Sequence, residues 1–139
     1  MEQVVIIPQE PGDFVGHSDG MVRFIDENTV LVNQYSKDKT YQDFGYNLRW
    51  SLRNAGLHYV ELPYDSWKNA DANDATGCYI NFLETGNYIF YPVYGNYSDQ
   101  HALIQLQGAF QDRQLISIDC RELARMEGVL NCATWNIMK

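Results

Sequence analysis

The alternation of apolar and polar positions divides the chain into short strands interrupted by two helical stretches. Val4-Val5-Ile6-Ile7 is a compact apolar run closed by Pro8 and predicts a buried strand. Val22 to Asp26 predicts a strand, Glu27-Asn28 has turn chemistry, and Thr29 to Asn33 predicts the returning arm of a hairpin. From about Thr40 the period lengthens. Phe44, Leu48, Leu52 and Ala55 recur at helical spacing, and Gly56 marks the stop. His58 to Leu62 alternates again and ends at Pro63. After a polar stretch from Tyr64 to Gly77, expected to be a long exposed loop, the same signals return. Tyr79 to Glu84 predicts a strand, Thr85-Gly86-Asn87 a turn and Tyr88 to Tyr91 a strand. Ser98-Asp99 starts a helix with Ala102, Leu103, Leu106 and Phe110 on its apolar face. Leu115 to Ile118 predicts a strand, Arg121 to Met126 a short helical turn, and Val129 to Thr134 a final extended piece.

One unit therefore occurs twice: strand, turn, strand, helix, strand. Phe24 and Phe82 fall 58 residues apart, Asn28 matches Gly86, and Val60 matches Ile118 at the same offset. The predicted class is α/β, with modules over about residues 14–63 and 78–119, a cysteine-bearing segment over 120–139, and a single domain over 1–139. Such a unit has one sheet face to cover and normally packs against further copies, so two copies read as an incomplete set.

Composition narrows the picture. At 139 residues with 45% hydrophobic positions, the chain can bury a sizeable core. No apolar run approaches the ~20 residues of a membrane helix, and the N-terminus lacks a signal-peptide pattern, so no membrane partner is expected. Three cysteines without close spacing form no disulfide framework, which points to reduced thiols and a cytoplasmic location. A net charge of −8 disfavours nucleic acid and permits a cationic ligand.

The candidate chemistry lies in two stretches. Gly16-His17-Ser18-Asp19-Gly20 sets a histidine and a carboxylate two residues apart; in an extended segment both would address one space. Near the other end, Leu130-Asn131-Cys132-Ala133 holds a candidate nucleophile. Each has a plainer reading: a capping aspartate with a bystander histidine, and a structural thiol. Cys78 and Cys120 read as small buried hydrophobes, and Arg121-Glu122 as an ion pair at a helix start. Asn96-Tyr97-Ser98 is a glycosylation triplet that carries little weight without a secretion signal. No close pair of Cys or His nucleates a zinc site. The carboxylates between residues 69 and 74 lack the glycine and terminal glutamate of a calcium loop. No metal or cofactor is expected.

Taken together, Gly16 to Phe24, Tyr79-Ile80-Asn81-Phe82, Pro92-Val93-Tyr94-Gly95 with Asp99, Ile118 to Glu122 and Leu130-Asn131-Cys132 resemble the C-terminal half of the agmatine deiminase and bacterial-type peptidylarginine deiminase family. These blocks keep the family's order across nearly the whole chain. The resemblance implies a guanidino-group-modifying protein with an α/β propeller of five strand-strand-helix-strand modules, of which this chain holds about two. It implies Cys132 as the nucleophile that attacks a guanidinium carbon, with His17 protonating departing ammonia and then activating water. Asp19 would bind the guanidinium, and Asn81 matches a substrate-site asparagine. Asn131 stands where agmatine deiminases usually have histidine, which places peptidylarginine-type members as closer kin.

The implied partner is a cationic guanidino small molecule or an arginine peptide, converted to a ureido product and ammonia through a covalent thiouronium. The family's N-terminal half supplies another acidic residue and the remaining modules. The expected assembly is therefore a homodimer, or a pairing with a separate N-terminal half, with Val4 to Ile7 and Val129 to Ala133 as adhesive segments. Two functions stay open: a guanidine-hydrolysing enzyme, and a catalytically inactive remnant serving as a binding or oligomerisation module. The enzyme reading expects the tips of His17, Asp19 and Cys132 within roughly 5–8 Å, and enhanced thiolate character at Cys132.

Overall fold

A computed structural model describes residues 4–35, 39–64 and 74–137. Two three-stranded sheets carry the chain, each with one helix. In the first, β1 (Val22–Phe24) runs antiparallel to β2 (Thr29–Gln34), and α1 (Lys39–Asn54) leads to β3 (His58–Pro63), parallel to β2. In the second, β4 (Leu83–Thr85) is antiparallel to β5 (Tyr88–Val93), and α2 (Ser98–Ala109) leads to β6 (Gln114–Asp119), parallel to β5. The sheet orders are β1-β2-β3 and β4-β5-β6.

The repeat is exact in topology and looser in residue spacing. In both hairpins an asparagine carbonyl receives the amide that opens the third strand: Asn28 from His58 and Asn87 from Gln114, each at 2.8 Å. Asn28 thus corresponds to Asn87 rather than Gly86. The helix of the second unit is shorter, 12 residues against 16, so the matching offset shrinks after it. Phe24 and Phe82 are not equivalent either. Phe24 is 55% exposed and Phe82 is fully buried.

The central strand β2 explains how the layers join. Val30 and Val32 point to one face and pack with Phe44, Leu48 and Leu52 of α1. Leu31 points to the other and joins Leu62, Phe82, Ile89, Tyr91 and Leu106 in a core shared by both sheets. Strand alternation feeds both cores, and each fully buried leucine contributes about 2–3 kcal/mol of burial. α1 ends where predicted, with Gly56 at φ 79°, a left-handed backbone that glycine adopts without strain.

Four expectations need correction. Val4 to Ile7 forms no strand: Val4 and Ile6 are 86% and 85% exposed, and no strand among the described residues pairs with this run. Tyr79 and Ile80 lie in a turn, and the second unit's first strand is only Leu83–Thr85. Val129 to Thr134 is a tight turn, closed by Ala133 N–H to Val129 O at 2.9 Å, and Val129 and Leu130 are core residues rather than an adhesive edge. Arg121 pairs with Asp119 at 2.6 Å, and Glu122 pairs with Arg125 at 3.3 Å. Most of the Tyr64 to Gly77 stretch lies outside the described residues. Among the described residues no helix is long and apolar enough to cross a membrane.

The segment before β1 is tied down by side chains instead. Tyr64 donates its hydroxyl to Glu10 Oε1 at 2.8 Å, and Tyr41 donates to Pro11 O at 3.2 Å. Burial pushes the Glu10 carboxyl up to about 7, against the hydrogen bonds from Tyr64 and Tyr35. A raised carboxylate pKa means the folded chain holds that proton more tightly than the unfolded one. Its contribution is therefore most favourable below pH 4.5 and is lost as pH rises through about 7. Glu10→Gln is expected to remove up to about 3 kcal/mol of that pH dependence. Urea unfolding at pH 5 and pH 8 reads it: an unchanged slope between the two would show that Glu10 stays ionised in the fold.

Candidate active site

The site is built where the two units meet, from the turn before β1, the turn before β4 and the turn after Gly128. Asp19 sits in a 3-10 turn, Ser18–Gly20, and its Oδ2 receives Asn81 Nδ2 at 3.1 Å and Asn131 Nδ2 at 3.0 Å. Cys132 Sγ lies 3.5 Å from the same oxygen and 3.2 Å from Asn81 Nδ2. Residues 113 positions apart thus come into direct contact, closer than the expected 5–8 Å.

Asn81 is the hub. It is 3% exposed, its Oδ1 accepts the amides of Asn131 at 3.1 Å and Cys132 at 3.3 Å, and its Nδ2 faces Asp19 and Cys132. An asparagine side chain offers two acceptor sites and two donors, so these contacts use its whole capacity. The expected direct hold on substrate therefore gives way, in this geometry, to a hold on the turn that carries the thiol.

Gly128 lets that turn close. A Cβ built there would stand 2.6 Å from Cys132 Cβ and 3.1 Å from its Sγ. Such a contact with the base of a side chain cannot be relieved by a rotamer change. Gly128→Ala is expected to displace the Cys132 thiol from Asp19 and lower stability by about 1–3 kcal/mol. A crystal structure of the variant with the Cys132 to Asp19 contact unchanged would contradict this.

His17 makes its side-chain contact with Asp13. Its backbone N–H donates to Asp13 Oδ2 at 2.6 Å, its Nδ1 is 3.5 Å from Asp13 Oδ1, and its side chain is 60% exposed. Asp13 also caps the amides of Val15 and Gly16. The expectation that His17 and Asp19 address one space assumed an extended segment. His17 precedes the 3-10 turn at Ser18–Gly20, with φ −74° and ψ 81°, so the backbone between it and Asp19 is not the extended one that sets positions two apart on one side.

The expectation of enhanced thiolate character is also overturned. Burial pushes the Cys132 thiol up, the Asp19 carboxylate adds to this, and the Asn81 amide only partly opposes it. Cys78 is buried and pushed far above the usual thiol range, and Cys120 is buried and raised as well. Of the three free cysteines only Cys132 is exposed.

Two residues with no role assigned from sequence complete the cluster. Arg23 Nη1 donates to Phe82 O at 2.6 Å and to Asn131 Oδ1 at 3.1 Å, with its guanidinium carbon 4.2 Å from the Phe82 ring centroid. Asn131 bridges Arg23 to Asp19. The visible signal was strand alternation: with Val22 and Phe24 on one face of β1, Arg23 must occupy the other. A separate groove lined by Tyr59, Glu61, His101 and Gln105 contains none of these residues.

The sequence profile described as Porphyromonas-type peptidyl-arginine deiminase matches residues 2–137. A Streptococcus mutans protein named "Putative agmatine deiminase" is 34% identical over 82 residues, covering 58% of this chain and 21% of that protein. The solved "Putative Arginine Deiminase from Porphyromonas gingivalis" is 32% identical with a TM-score of 0.71, covering 87% of this chain and 38% of its own. The Campylobacter structure titled "C. Jejuni Agmatine Deiminase" is 27% identical with a TM-score of 0.72, covering 88% and 37%. The chain thus spans well under half the length of each of these relatives.

Proposed function

The chain belongs to the Porphyromonas-type peptidyl-arginine deiminase family, and on that premise we propose that it carries the nucleophile-bearing portion of a guanidinium-hydrolysing site. The two β-β-α-β units act as two modules of an α/β propeller within one domain over 1–139. A second copy or a separate N-terminal half supplies the remaining wall. The substrate is a guanidino small molecule or an arginine side chain.

The observation that carries this reading is the joint contact of Asn81 Nδ2 with Asp19 Oδ2 and Cys132 Sγ. A carboxylate beside a thiol keeps the thiol protonated, and a guanidinium paired with Asp19 cancels the charge that does so. The nucleophile then forms where the cation is bound. Cys132 passes its proton to His17 as its sulfur bonds to the guanidinium carbon, one C–N bond breaks, and ammonia leaves with that proton. Water, deprotonated by His17, attacks the thiouronium carbon; the C–S bond breaks, and a ureido product and the thiol result.

The test is incubation of the purified chain with a haloacetamidine, which mimics the cationic head, and assay for ureido product from agmatine, arginine and an arginyl peptide. Selective adduct at Cys132 with product from at least one substrate is expected. Adduct without product assigns a binding module instead. Equal labelling of all three cysteines in the folded protein would sink the site itself.

A further inference from the structure

The side-chain amide of Asn131 stands between a cation and an anion that are both held in place. Arg23 donates to its Oδ1 at 3.1 Å, and its Nδ2 donates to Asp19 Oδ2 at 3.0 Å. Only one orientation serves both neighbours. A flipped amide would set NH2 against the guanidinium N–H groups and oxygen against the carboxylate, replacing two charge-assisted hydrogen bonds with two repulsions. Arg23 is itself immobilised, because the same Nη1 donates to Phe82 O and the guanidinium lies over the Phe82 ring. Asn131 is further anchored by its backbone amide on Asn81 Oδ1. All three side-chain contacts described on the Asp19 carboxylate fall on Oδ2.

We propose that Arg23 is a positioning residue for the guanidine chemistry: through Asn131 it locks Asp19 with Oδ2 held by the protein and Oδ1 presented to the substrate cation. This rests on the guanidinium-hydrolysing reading. It assigns a cationic residue an effect on cation binding opposite to the one its charge alone would have. As a bare positive charge Arg23 would repel a guanidinium, and its removal would tighten binding. As the anchor of the Asn131 relay, its removal loosens Asp19 and weakens binding.

Protection of Cys132 from iodoacetamide by agmatine measures that binding. Arg23→Met and Asn131→Ala are each expected to raise the protecting concentration about tenfold, and the double variant no further, because both break one relay. Arg23→Lys, which keeps a donor toward Asn131, is expected to recover part of the loss. Tighter protection in Arg23→Met, or a hundredfold loss in the double variant, overturns the proposal. Cys78 and Cys120 report folding, since they stay unreactive while the core is intact. If Arg23→Met exposes them, Asn131→Ala and Arg23→Lys carry the comparison.

Absence of protection in the unaltered chain would count against the guanidinium reading, and the relay is then judged without ligand. The Asn131 side-chain NH2 signals in a 15N-labelled sample are expected to shift as Asp19 is titrated, and to lose that response in Arg23→Met. Signals indifferent to Asp19 protonation in the unaltered chain overturn the relay.

Discussion

Asp19→Asn is expected to change the reactivity of Cys132 in opposite directions toward neutral and cationic reagents. The carboxylate lies 3.5 Å from Sγ and, after burial, helps hold the thiol above its ordinary range. Neutralising it lowers the thiol pKa and raises the thiolate fraction at neutral pH. Intrinsic nucleophilicity falls with pKa, with a slope of about 0.4–0.5, so the net gain toward iodoacetamide is about threefold. A cationic haloacetamidine loses its electrostatic partner and is expected to react about tenfold more slowly. The ratio of the two rates should therefore fall about thirtyfold. Parallel changes with both reagents would show that Asp19 acts on the thiol alone and does not receive the cation.

The largest effect on stability is expected at Asn81. Asn81→Ala leaves the Cys132 amide without its acceptor and removes one of the two acceptors of the Asn131 amide, the other being Asn81 O at 3.2 Å. It also strips one donor from Asp19 and leaves a void at a position 3% exposed. Buried polar groups that lose partners cost about 1–3 kcal/mol each. A total near 3 kcal/mol corresponds to a fall in melting temperature of roughly 10 °C. The turn carrying Cys132 should also loosen, so labelling selectivity among the three cysteines should drop. A loss below about 1 kcal/mol in urea unfolding would mean that the turn is held mainly by the burial of Val129 and Leu130.

These expectations rest on positions of unequal legibility in the chain. The helix over Phe44, Leu48 and Leu52 and its stop at Gly56 were readable because local periodicity and a positive-φ glycine carry them. The two β-β-α-β units were readable for the same reason, although matching by residue offset misassigned Gly86 and Phe82. The family resemblance pointed to Asp19, Asn81 and Cys132, and the structure brings those three side chains together. It could not orient them. A common direction for His17 and Asp19 rests on an extended backbone, and the chain instead enters a 3-10 turn at Ser18. Nothing local marks Arg23, on a short strand, as the neighbour of Asn131, 108 positions away.

The sequence by itself determined the two helices, the hairpin and third strand of each unit, the apolar face of α1 and which residue types are available for chemistry. Those properties arise from interactions over a few residues, where backbone periodicity and side-chain volume act directly. Tertiary structure alone decided the protonation tendency of Cys132, the commitment of Asn81 to the protein and the orientation of the Asn131 amide. Each depends on charges and hydrogen-bond partners 50 to 113 positions away in the chain. Such energies follow distance in space, which packing of the two sheets sets and local sequence does not record.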